Sequence, residues 1–197
     1  TLLGEHEQGI LQTLSVFRGG FTYEAVQAVA GASLRGLRRL VNQCLLYHAP
    51  SGRYEIHELL RQYAVEKLEA SGKANAASDA HSTYYVAALK QWGVDLKGPK
   101  QQEALADLEL EIENARTAWN WAARSGKVAR LAGALDGLCH FYEWRVRQDE
   151  GEAACRLAAQ GLAATDESVT GLSNGGRRLL ARVLVWQGAF TYLLGRM

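Results

Sequence analysis

A mainly α-helical fold follows from three features of the 197-residue sequence. Two prolines in the whole chain leave the i→i−4 hydrogen-bond ladder almost uninterrupted. Apolar residues recur in steps of three and four over most of the length. One stretch, residues 45–57, changes to the two-residue period of extended strands. Hydrophobic residues make up 48% and charged residues 22%, an ordinary globular composition. A chain of this size buries roughly 70% of its unfolded surface, so its core needs no disulfide or structural metal.

The first helix is expected over 7–17, where Ile10, Leu11, Leu14 and Phe17 share a face and Gly19-Gly20 stops the run. Thr22 caps a second helix with Ala25, Val26 and Val29 inward and Gly31 as its end. Ser33 caps a third, with Leu34, Leu37 and Val41 along one side and Arg35, Arg38, Arg39 and Asn42 along the other. Residues 45–49 and 53–57 then alternate around Pro50-Ser51-Gly52, the pattern of a hairpin. Tyr54 and Ile56 point one way, Arg53, Glu55 and His57 the other. A further helix carries Leu60, Ala64 and Leu68, with Tyr63 beside them, and stops at Gly72. Three helices, a hairpin and a closing helix make a winged-helix domain over 1–72.

Residues 73–77 are small and polar and are expected as the linker to a helical domain, 78–197. Ser78 or Asp79 caps a helix burying Tyr84, Tyr85, Ala88, Leu89 and Trp92. A helix over about 101–124 follows, with Leu105, Leu108, Ile112, Ala115, Trp119 and Ala122 inward, then helices over roughly 127–146 and 149–164. A loop over 166–176 precedes the last. Arg130-Leu131 matches Arg178-Leu179, and Trp144 matches Tyr192 at the same offset. Paired helices recurring at about 34–45 residues mark a helical-repeat array of the tetratricopeptide (TPR) kind. The chain starts at Thr1, its only Met is Met197, and it stops inside an apolar helical pattern. It is therefore expected to be a piece of a longer polypeptide whose last repeat is truncated.

Charge excludes the simplest nucleic-acid or membrane-surface reading: 22 Lys and Arg face 21 Asp and Glu, a net charge of +1. No stretch approaches the ~20 apolar residues needed to span a bilayer, and no signal peptide is legible. Cys44, Cys139 and Cys155, odd in number and scattered, fit free thiols in a reducing cytoplasm. His57-Glu58-Leu59-Leu60-Arg61 fails as a zinc-protease helix because its fifth residue is a cation. Residues 93–100 have the glycine spacing of a phosphate loop but neither the preceding strand nor the final Ser or Thr. Cys139-His140 and Cys155 are too sparse for a metal site. Glu103, Asp107, Glu109, Glu111 and Glu113 are expected as a solvated helix face. No nucleophile and base stand together, so this chain is not expected to be an enzyme by itself.

Four segments carry a resemblance. Leu14-Ser15-Val16-Phe17-Arg18-Gly19-Gly20-Phe21-Thr22, residues 40–46, and Arg53-Tyr54-Glu55-Ile56-His57-Glu58-Leu59-Leu60-Arg61-Gln62-Tyr63-Ala64 are similar to the winged helix of bacterial STAND regulators, signal-transduction ATPases with an NB-ARC-like nucleotide domain. Residues 108–126, LELEIENARTAWNWAARSG, resemble the start of that family's helical sensor region. The resemblance implies an upstream P-loop domain that binds ADP or ATP with Mg²⁺, none of which this chain would hold alone. It implies a winged helix packed over the nucleotide, and repeats that bind an inducer or partner protein. A Met-His-Asp motif in the family supplies a histidine to the ADP phosphate. Ile56, His57 and Glu58 stand there, so the histidine alone is strictly kept, and Glu58 is one methylene longer than the family's acid.

His57 sits where strand meets helix, on the side opposite Tyr54 and Ile56, and can donate to a phosphate oxygen, more strongly when protonated. Its plainer role is to cap the following helix. Arg35, Arg38 and Arg39 could enter a DNA groove, as the third helix of winged helices commonly does. Residues 1–72 nevertheless hold seven basic and seven acidic side chains, which favours a solvated or domain-contacting face. Of Trp92, Trp119, Trp121, Trp144 and Trp186, Trp121 falls off its helix's stripe and is the candidate for a partner groove. The rivals to the nucleotide switch are a winged-helix DNA-binding protein with a helical effector or dimerisation domain, and a helical adaptor that binds a peptide.

Overall fold

The computed structural model describes residues 3–166 and 173–196, which fold as helices with one small hairpin. The chain divides into two compact units, Thr1–Tyr84 and Tyr85–Met197.

In the first unit α1 spans Glu5–Leu14, shorter than the expected 7–17 at its far end. Tight turns in which Val16 N–H donates to Thr13 and Phe17 N–H to Leu14 carry the chain on, so Phe17 is buried although the helix has ended. Thr22 caps α2, Tyr23–Ala30, and Gly31 ends it in the left-handed region at φ 62°. Ser33 caps α3, Leu34–Asn42. The buried stripe of α3 is Leu37 and Leu40, not Leu34, Leu37 and Val41: Leu34 is exposed and Val41 only half-buried. The start of α3 therefore stands clear of the core.

The hairpin is shorter than the alternation suggested. Strand β1 is Tyr47–His48 and β2 is Tyr54–Glu55, antiparallel, with Tyr47 opposite Glu55 and His48 opposite Tyr54. Gly52 takes φ 81° in the turn. Tyr54 also exchanges backbone hydrogen bonds with Phe21, which ties the hairpin to the start of α2. Helix α4, Glu58–Ala70, buries Ala64 and Leu68, packs on α1, and ends at Gly72 with φ 71°.

Helix α5 spans Ala74–Asp95 and begins inside the expected linker 73–77, ahead of the expected caps Ser78 and Asp79. Its alanines favour helix, and Ala77 is already buried. His81 and Ser82 are buried too, with the His81 ring edge-on to Phe17 at 5.1 Å. The division between the two units falls at Tyr84 and Tyr85, within this helix.

In the second unit α6 spans Gln101–Arg124, α7 Val128–Trp144, α8 Gln148–Asp166 and α9 Asn174–Leu193. Each packs on the next, and α6 also packs on α8. Ser173 caps α9 by accepting from the Gly176 N–H, so this helix begins within the loop expected over 166–176. Residues 167–172 of that loop lie outside the described residues. Trp119 is fully buried and donates its indole N–H to the Ala154 carbonyl at 3.0 Å. Gly93, half of the rejected phosphate-loop spacing, serves packing instead: it lies against the backbone of Gly137, whose own missing Cβ would overlap the Leu89 carbonyl oxygen.

Candidate functional site

The junction between β2 and α4 holds the first predicted residue. Tyr54 is buried, Ile56 half-buried, and Glu55 and His57 are exposed, so the expected alternation holds across the junction. His57 is the N-cap of α4, at φ −62° and ψ 136°, and its Nδ1 accepts the Leu59 N–H at 3.3 Å. Capping and donating are compatible because they use different ring nitrogens. With Nδ1 as acceptor, the proton of the neutral imidazole sits on Nε2, which is left as a donor on an exposed ring. The cap therefore leaves Nε2 as the outward ring nitrogen. Beside His57 lies a recess of about 500 Å³, lined by Val41, Cys44, Leu46, Tyr47 and His48.

Glu58 follows as the first residue of the helix. Arg61 grips its carboxylate with two hydrogen bonds, Nε to Oε2 at 2.8 Å and Nη2 to Oε1 at 2.6 Å, and Gln62 adds a third at 3.0 Å. Those bonds, Arg61 first, hold the carboxyl down to about 2. Arg18 completes the cluster. It donates to the carbonyls of Ser15 and Phe17, and Arg61 reaches the same Ser15 carbonyl at 3.5 Å. Two guanidinium groups thus converge on the C-terminal end of α1, where its carbonyls lack helical partners. Partial burial, then the neighbouring Arg61, lowers the pKa of Arg18, and Glu58 opposes that shift. The spacing of Glu58 and Arg61 at i, i+3 was legible in the sequence, whereas Arg18 comes from a separate loop.

Arg35, Arg38 and Arg39 are all exposed on α3. Arg39 is committed within the unit: it pairs at 2.8 Å with Glu7 of α1, whose buried carboxylate also accepts the Gly4 N–H. Arg35 and Arg38 make no ion pair among the described residues. The structure therefore splits the expected trio into one anchored arginine and two outward ones.

Trp121 lies half-buried at the end of α6, with the Lys127 amine 5.6 Å and the Arg130 guanidinium 5.4 Å from its ring centre. Both cations come from the same turn and the start of α7, so the half-buried ring is flanked by two positive side chains. One expectation about acids is corrected. Glu111 is buried rather than solvated, and accepts from the Tyr85 hydroxyl and the Asn114 amide, each at 3.0 Å. Cys139 and Cys155 are buried 3.7 Å apart at sulfur, and burial pushes the Cys139 thiol up; Cys44 is exposed.

Curated proteins similar to this chain match it at 32% identity over 160 residues, 76% of its length. Each bears the name "Putative HTH-type transcriptional regulator"; one is from Mycobacterium bovis and two are from strains of Mycobacterium tuberculosis. The match takes in 18% of each relative, so the chain spans less than a fifth of their length. No family model matches the chain, and no solved structure does. Among the described residues no helix is long and apolar enough to cross a membrane. The chain is thus a mainly helical segment similar to transcriptional regulators of the HTH type.

Proposed function

We propose that this chain is the switch segment of a STAND-type transcription regulator, a winged helix over 1–72 followed by TPR-like repeats. In this reading His57 senses the ADP or ATP held with Mg²⁺ by an upstream P-loop domain, and the repeats take the inducer or partner protein. The observation that carries it is the divided imidazole: Nδ1 is spent on the α4 cap, and Nε2–H remains as an exposed donor beside the recess. A donor fixed at a helix start suits a phosphate oxygen, because the cap sets which ring nitrogen points outward and its direction. The resemblance of residues 53–64 to the family's winged helix supports the same role.

His57→Ser separates the two functions of the ring. Serine keeps an N-cap oxygen for the helix but loses the outward N–H. In the full-length protein the variant is expected to bind ADP about tenfold or more weakly, with little change in melting temperature. Unchanged ADP affinity would count against the role of His57.

The relatives' name favours a second reading more directly, contact with DNA through α3. Arg35 and Arg38 are its candidates, since Arg39 is tied to Glu7. It predicts salt-sensitive binding of duplex DNA by this chain, lost in an Arg35→Ala, Arg38→Ala double variant. The balance of seven basic and seven acidic residues over 1–72 provides little field to support it.

A further inference from the structure

Two nucleophilic side chains take no part in the readings above. Cys139 on α7 and Cys155 on α8 are buried in one apolar cluster with Leu135, Leu138, Ala154 and Ala158. A single cysteine in such a place acts as a small hydrophobic residue. These two meet across the helix pair, with their sulfurs 3.7 Å apart. A disulfide bond measures about 2.05 Å, so each sulfur has less than about 1 Å to travel. A turn of roughly 30° about each Cα–Cβ bond covers that distance without parting the helices. Cys44, by contrast, is exposed and belongs to the first unit.

Burial decides which oxidation product this place accepts. A sulfenic acid adds a polar group to an apolar core, where its hydration is lost. A disulfide is uncharged and occupies the space that the two thiols already fill. The second thiol, held at contact distance, converts the one into the other without leaving the core.

We propose that Cys139 and Cys155 form a redox pair, reduced in the resting protein and joined as a disulfide by a peroxide. One sulfur, as its thiolate, attacks a peroxide oxygen; the O–O bond breaks, and a sulfenic acid and water form with the proton that the thiol gave up. The second sulfur then attacks the sulfenic sulfur. The S–O bond breaks, and the leaving hydroxide takes the second thiol's proton as water. Two thiols lose two electrons, and one hydrogen peroxide becomes two waters. The first step is slow, because burial pushes the Cys139 thiol up and leaves little thiolate. The Cys155 sulfur and Asp136 add to that shift, and Arg182 opposes it. The pair therefore answers sustained oxidation rather than a brief exposure. Its bond ties α7 to α8, which also packs on α6 and α9, so oxidation stiffens the helical unit from its centre. The proposal stands apart from the nucleotide and DNA readings, whose residues it does not use.

Peptide mapping of the native 197-residue chain without reductant tests it. The chain is held in hydrogen peroxide for rising times and then alkylated in denaturant. A cross-linked Cys139–Cys155 peptide is expected, with neither cysteine open to alkylation until dithiothreitol is added. The oxidised chain is expected to melt about 5 °C or more above the reduced one, because a closed loop limits the unfolded state. Cys139→Ala and Cys155→Ala should each lose both the cross-link and the rise; the mapping of the unsubstituted chain decides the matter even where a variant does not fold. Both thiols still reduced after exposure that carries Cys44 to its sulfonic acid would overturn the proposal. So would sulfinic acid on either residue in place of the cross-link, or a cross-link that forms only in denaturant. A cross-linked chain that melts no higher than the reduced one would contradict the stiffening.

Discussion

His57 and Glu58 show two adjacent side chains fixed by opposite means. The helix start holds the imidazole, whereas a cation one turn on holds the carboxylate. Glu58 lies below its ordinary value, so its contribution is fully present above about pH 4 and is lost as pH falls toward 2. Glu58→Gln is therefore expected to flatten the stability profile between those limits and to lower stability at neutral pH by the same amount, a small one because the pair is exposed. Acid titration of both forms by circular dichroism checks this, and an identical acid limb would contradict it. The sequence placed His57 on the outward side of the strand because alternation is short-range and robust. It could not assign the tautomer, which depends on the Leu59 N–H aligning with Nδ1. Glu111 was misplaced for a related reason: it flanks the α6 stripe one residue before Ile112, and its partner Tyr85 lies on another helix, out of reach of local spacing.

At the scale of elements, glycines decide how closely helices approach. A Cβ on Gly137 would overlap the Leu89 carbonyl, whereas one on Gly133, a turn earlier in α7, would meet only the flexible Lys90 side chain at 3.8 Å. Gly137→Ala is expected to destabilise the chain by about 1–3 kcal/mol, and Gly133→Ala to stabilise it by about 0.5–1 kcal/mol. Urea denaturation of the two variants separates close packing from helix propensity, and equal effects would contradict the close approach. Helix existence was legible from apolar spacing, and the caps Thr22 and Ser33 from residue type, because those signals are local. The start of α5 was not, since Ala74, Ala76 and Ala77 read equally as linker or helix until Ala77 finds its buried place. The two-residue strands were overestimated because alternation continues in sequence beyond the residues that pair.

The whole molecule makes its three thiols unequal, with Cys44 exposed and Cys139 and Cys155 buried. A thiol reagent should modify one cysteine in the native state and all three in denaturant; fast native reaction of Cys139 or Cys155 would show that the α7–α8 core opens readily. The mainly helical character and the order of elements were legible from periodicity alone. Function was not, because the candidate residues sit at a helix start and on exposed faces, and their meaning depends on what is bound there. The most direct measurement is the nucleotide content of the full-length protein, released by denaturation and identified by chromatography, beside His57→Ser. The switch reading predicts stoichiometric ADP from the parent and much less from the folded variant. A folded parent that releases no nucleotide, or equal ADP from both proteins, would contradict it.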